Sequence, residues 1–105
     1  MGMYLFEAKY TTEGTKGLLK QGGTGRRTAL EKLFSGMGGK LLDLYYAFGD
    51  VDVYVVTELP DNETAAAVAL AVNNSGLVTT RTVVLMSPED MDKACHKTVN
   101  YSPPK

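Results

Sequence analysis

Tryptophan is absent, and cysteine and histidine occur once each, as Cys95 and His96. A lone cysteine excludes an internal disulfide and fits a reducing compartment. One histidine and one cysteine do not make a dedicated zinc site, so neither a metal nor a cofactor is expected. Neighbours on a helix point in different directions, which also rules out a Cys–His nucleophile and base pair. Without tryptophan, and with a peripheral histidine, an oxygenase or haem-handling role is disfavoured. Charge of one sign is missing too. Lys and Arg number 11 against 12 Asp and Glu, for a net charge of −1, which leaves no electrostatic footprint for nucleic acid or an anionic membrane. No apolar run approaches the ~20 residues of a membrane span, and the first residues lack the basic-then-apolar pattern of an export signal. The expectation is a cytoplasmic protein that engages neither nucleic acid nor membrane.

What is present is strong patterning over 105 residues, the length of one domain. We expect that domain over residues 1–100, with 101–105 as a flexible tail. Met3–Tyr10 alternates, with Tyr4, Phe6, Ala8 and Tyr10 on one face and Met3, Leu5, Glu7 and Lys9 on the other, which predicts a strand. Glycine and threonine dominate from Thr11 to Gly25, with a helical turn around Gly14–Lys20. A helix proper starts near Arg26 and carries the stripe Ala29, Leu30, Leu33, Phe34 and Met37. Gly38-Gly39 stops it. Lys40–Phe48 and Val51–Glu58 alternate around Gly49-Asp50 and predict a β-hairpin. Leu42, Leu44, Tyr46 and Phe48 fall on one face with Val51, Val53 and Val55. Pro60 breaks the strand, and Asp61 is a helix cap before Asn62–Asn74, which is rich in alanine. Gly76 ends that helix, and Leu77–Met86 predicts a fourth strand. Ser87-Pro88-Glu89-Asp90 is a helix start, and that helix should run to about Val99 and bury Met91, Ala94, Cys95 and Thr98.

The order β-α-β-β-α-β plus a C-terminal helix predicts an α+β, ferredoxin-like sandwich. Its antiparallel sheet has the order 4-1-3-2, with both main helices on one face. Phe6, Ala8, Leu42, Leu44, Val53 and Val55 are assigned to the covered face. Leu5, Glu7, Lys9, Asp52, Tyr54, Val56 and Arg81 remain for the other. That face is too apolar for plain solvent-facing surface, so a second copy of the chain is expected to cover it.

Several segments together resemble a known family. They are Gly38-Gly39-Lys40, Gly49-Asp50-Val51-Asp52, Glu58-Leu59-Pro60-Asp61-Asn62-Glu63 with the alanine-rich helix behind it, and Gly76-Leu77-Val78-Thr79-Thr80-Arg81-Thr82. The pattern runs from Tyr10-Thr11 to Met86 and resembles the GYD domain family of small bacterial proteins. Val51 stands where the eponymous tyrosine would be, while Gly49 and Asp52 are kept. The resemblance implies a ferredoxin-like fold similar to the dimeric α-β barrel proteins. In those, two sheets face each other and pockets host small organic molecules.

Among residues able to carry chemistry, Asp52 interrupts a valine-rich strand. It reads either as a carboxylate in a site able to move a proton, or as a solvated carboxylate paired with Arg81 or Lys9, and the second reading is preferred. The candidate ligand-binding set is Glu7, Asp52, Tyr54 and Arg81; no catalytic residue is assigned. Gly22-Gly23-Thr24-Gly25 matches neither a P-loop nor a dinucleotide fingerprint and reads as a flexible connection. Asp92 and His96, one turn apart, read as an exposed pair. The tyrosines read as core residues with hydroxyls at the edge. An RNA-recognition role is rejected, because the central strands lack basic residues beside their aromatics. The resulting expectation is a homo-oligomer that binds a small organic ligand as a sensor or accessory module. The alternative is a cofactor-independent isomerase or monooxygenase of the barrel type that uses a carboxylate for proton transfer.

Overall fold

A computed structural model describes residues 1–104. Among these, the elements run β1 (Gly2–Tyr10), α1 (Thr12–Gln21), α2 (Gly23–Gly36), β2 (Lys40–Tyr46), β3 (Val53–Leu59), α3 (Asn62–Asn74), β4 (Val78–Leu85) and α4 (Pro88–Cys95). The strands form one antiparallel sheet in the order β2-β3-β1-β4. Read from its other edge, this is the expected 4-1-3-2.

The period-two pattern of β1 decides the layering. Tyr4, Phe6 and Ala8 are buried with Val53, Val55 and Leu59 of β3, beneath Phe34 of α2 and Ala65 and Val68 of α3. The Phe6 and Phe34 rings stack with centroids 6.0 Å apart and planes 25° apart. Polar atoms that go inside are paired. The Tyr4 hydroxyl donates to Asn62 Oδ1 at 2.6 Å, and that of buried Thr57 donates to the Lys40 carbonyl at 2.7 Å, so neither loses its hydration without a replacement.

The hairpin differs from its expectation twice. The ladder steps from Leu41↔Thr57 to Asp43↔Val56, a bulge that leaves Leu42 as the extra residue. One inserted residue reverses the alternation, so Leu41 and Leu44, not Leu42 and Leu44, pack against the core. The turn is also longer than two residues. β2 ends at Tyr46 and β3 starts at Val53, and the Ala47 N–H to Asp52 carbonyl bond of 2.8 Å closes the intervening loop. Phe48 and Val51, placed by parity on one face with Leu44 and Val53, lie in this loop, where Phe48 is fully exposed.

Helix formation before Arg26 is more extensive than its composition suggests. Thr11 caps α1 by accepting the Gly14 N–H at 3.2 Å. Gly22, at φ 79°, breaks the chain between α1 and α2. Gly23–Gly25 thus form the first turn of α2, not a flexible connection. The reason α1 forms is tertiary: Gly14 is buried where a Cβ would collide with the Leu77 carbonyl.

The C-terminal helix departs furthest. Ser87 caps it by accepting the Asp90 N–H at 3.1 Å, but it ends at Cys95, and Met91, Ala94, Cys95 and Thr98 are all exposed. It follows an edge strand and packs on neither face of the sheet, so the amphipathic pattern finds no partner within the described residues. Tyr101–Pro104 carry no regular structure; Lys105 of the expected tail lies outside the described residues.

Two predictions follow from these contacts. Gly14→Ala should destabilise by about 1–3 kcal/mol, because rigid backbone must shift to admit the methyl; urea unfolding measures it. The second concerns Asp61, which caps α3 by accepting both the Thr64 hydroxyl, at 2.6 Å, and its N–H, at 2.9 Å. These bonds, the hydroxyl's first, hold its carboxyl below the ordinary 3.8. A depressed folded pKa contributes stability above the unfolded value that disappears as pH falls through the folded one. Asp61→Ala should therefore be less stable than wild type at neutral pH, with the gap closing below pH 3.8.

Candidate functional site

No helix among the described residues covers the second sheet face. Its side chains are ordered in cross-strand rows by the register. Leu5 of β1 stands between Val56 and Val83, and Glu7 stands between Tyr54 and Arg81, with Tyr45 of β2 opposite Tyr54. Leu5, Val56 and Val83 are only half-buried. An apolar row thus lies directly beside a polar one, along the middle of the sheet.

Glu7 and Arg81 make the one short ion pair on this face among the described residues, with Oε2 3.0 Å from Nη2. The Glu7 side chain is 18% exposed and that of Arg81 is 78% exposed, so the carboxylate is embedded and the guanidinium reaches outward. Open depression of about 530 Å³ surrounds the pair, lined also by Lys9, Asp50, Val51 and Tyr54. Two positive and two negative side chains line it with a phenol, a chemistry that offers hydrogen bonds and charge rather than apolar bulk.

Three of the four residues expected in a site are therefore neighbours, and the fourth is not. Asp52 lies before β3, where its Oδ2 accepts the Tyr10 N–H at 2.8 Å, its own N–H donates to the Ala8 carbonyl at 2.9 Å, and Lys9 Nζ is 3.9 Å from Oδ1. The carboxylate takes the place of a missing strand partner at the end of β1. It does not line the depression beside Glu7; it borders a groove with Tyr10, Tyr46 and Phe48 on the far side. Lysine 9, one of the two partners anticipated for Asp52, is close; Arg81 is spoken for by Glu7.

Other candidates resolve as structure. His96 Nδ1 lies 2.7 Å from the Asp92 backbone carbonyl, not its carboxylate, which makes the ring a local helix-end contact. No three acidic, histidine or cysteine side chains among the described residues come together to hold a metal ion, and no helix among them is long and apolar enough to cross a membrane. Lys9 was expected on this face with Glu7, whereas Asp50 and Val51 were not. The loop after β2 carries the last two there, and its length depends on where pairing stops.

The role of Asp52 has a direct test. Asp52→Ala leaves the Tyr10 N–H without its acceptor and should cost about 1.5–3 kcal/mol, as for a hydrogen bond to a charged group. Asp52→Asn keeps an acceptor oxygen and should recover most of that, measured by urea unfolding.

The family description "GYD domain" matches residues 4–95, most of the chain. No curated protein and no solved structure matches it.

Proposed function

The chain belongs to the GYD domain family, and on that premise we propose that it works as a homo-oligomer in which a second copy closes the open sheet face over a small organic ligand. The reading rests on one observation: half-buried Leu5, Val56 and Val83 lie in register beside the Glu7–Arg81 pair on a face that no helix among the described residues covers. Apolar side chains there gain from losing water. A second copy suits the face because its charges are mixed in sign, Glu7 with Arg81 and Lys40 with Glu58. A surface of that kind is self-complementary across a two-fold axis. Its size also suffices. Four strands about 4.8 Å apart and about 3.3 Å per residue give a footprint of about 500 Å² per copy. Two copies then reach the roughly 1,000 Å² that a specific interface needs.

Once closed, the depression becomes a chamber walled by Glu7, Tyr54 and Arg81 and their symmetry mates. The enclosed pair serves to orient a ligand: the guanidinium donates and the phenol donates or accepts. A carboxylate already engaged by a guanidinium at 3.0 Å suits recognition better than proton abstraction. Binding, as a sensor or accessory module, is therefore the reading the geometry favours over catalysis.

Light scattering at micromolar concentration should give a multiple of 11.3 kDa. Val56→Asp, a charge at the centre of the apolar row, should reduce the species to the single-chain mass while leaving the circular dichroism unchanged. A single-chain mass for the wild type rejects the assembly. Arg81→Ala should remove the thermal shift produced by any metabolite that stabilises the wild type. On its own it should change stability by no more than ~1 kcal/mol, the range of an exposed ion pair.

A further inference from the structure

The opposite side of the sheet carries a cavity that this reading does not use. Between the sheet, α2 and α3 lies apolar space of about 60 Å³, walled by Phe6, Ala8, Leu30, Phe34, Val53 and Val68. Tyr10 and Arg26 border it, and both also border a larger groove of about 300 Å³ beside α1. They stand where the inner space meets the outer one.

Arg26 is half-buried, yet among the described residues its side chain makes no hydrogen bond and has no carboxylate within 4.0 Å. The ion pairs among the described residues involve Lys9, Lys16, Lys40 and Arg81 instead. The Arg26 nitrogens keep access to water, and a planar carboxylate is the group that can replace that water at two points at once. The Tyr10 side chain adjoins Arg26 at the mouth of the space. The Tyr46 hydroxyl donates to the Gly23 carbonyl at 3.2 Å. Burial, and then Tyr10, raise its pKa above the ordinary 10.0, against the pull of Arg26 and Arg27. It therefore keeps its proton.

We propose that this cavity binds a short-chain aliphatic monocarboxylate, with the carboxylate on Arg26 beside Tyr10 and the tail in the apolar space between Phe6, Leu30 and Val68. Size sets the class. A cavity of about 150 Å³ admits benzene, so space of about 60 Å³ takes a tail of about three carbons and excludes an aromatic ring. The site belongs to each chain separately and does not depend on the second copy.

The test uses sodium butyrate on the full chain with methyl NMR, against sodium chloride at equal ionic strength. Saturable shifts are expected at the methyls of Leu30, Val53 and Val68, with Val56 and Val83 on the other face unmoved. Acetate, which has the head without the tail, and 1-butanol, which has the tail without the head, should both bind more weakly. Arg26→Gln should weaken butyrate roughly tenfold or more, the loss of charge-assisted hydrogen bonds, whereas Arg81→Ala should leave it unchanged. Should Arg26→Gln fail to fold, the wild-type methyl map and the acetate and butanol comparisons decide alone. No saturable shift, equal affinity for butanol, or butyrate binding unaffected by Arg26→Gln would overturn the proposal. None of those outcomes bears on the oligomeric mass, so the two readings fail separately.

Discussion

β1 is the element on which the molecule turns. It pairs with β3 on one side and β4 on the other, so its alternation sets the facing of the whole central sheet. Because side chains repeat with period two, Phe6 under the helices requires Leu5 and Glu7 to face away. A slip of one residue would bury the carboxylate and expose the aromatic ring. The core and the open face are thus two consequences of one register, and neither can be altered without the other.

That register also explains the separation between the two regions proposed to bind. Glu7, Tyr54 and Arg81 share a cross-strand row on the open face. On the covered face, the end of β1 runs past the pairing of β3, and its free N–H at Tyr10 is taken by Asp52. Tyr10 is left bordering both the inner apolar space and the grooves around it. Helices α2 and α3 cover the sheet mainly with small or flat side chains, Ala65, Val68 and Phe34. They approach it closely, and little empty space remains.

Much of this was legible in the chain because it is decided locally. The alternation of Met3–Tyr10, the Asp61 cap with its alanine-rich helix, and the Ser87 cap each follow from residues within a few positions. The joint placement of Glu7, Tyr54 and Arg81 was legible as well, since all three lie inside strands whose parity is unbroken. What was not legible depends on distant partners. Leu42 was misplaced because a bulge has no local signature in a run of apolar residues. Asp52 was misplaced because its backbone still pairs with Ala8 and Ala47 while its side chain turns to the Tyr10 N–H, an acceptor need that strand parity does not reveal. The helix over Thr12–Gln21 was underestimated because glycine and threonine disfavour it intrinsically, while its support comes from Gly14 lying against Leu77, 63 positions later. Met91 and Cys95 carry an amphipathic pattern, but a pattern does not say which surface will receive it. Arg26 read as the polar start of a helix; its half-burial depends on the strands beside it.

The central claim is that the uncovered sheet face is dry in the working protein. Paramagnetic relaxation from an inert soluble probe, measured on leucine and valine methyls across a dilution series, addresses it most directly. Leu5, Val56 and Val83 should become protected as concentration rises, while Leu70, exposed on α3, stays relaxed and Val68 in the core stays protected throughout. If the three methyls remain as wet as Leu70 at the highest concentration, the account is wrong.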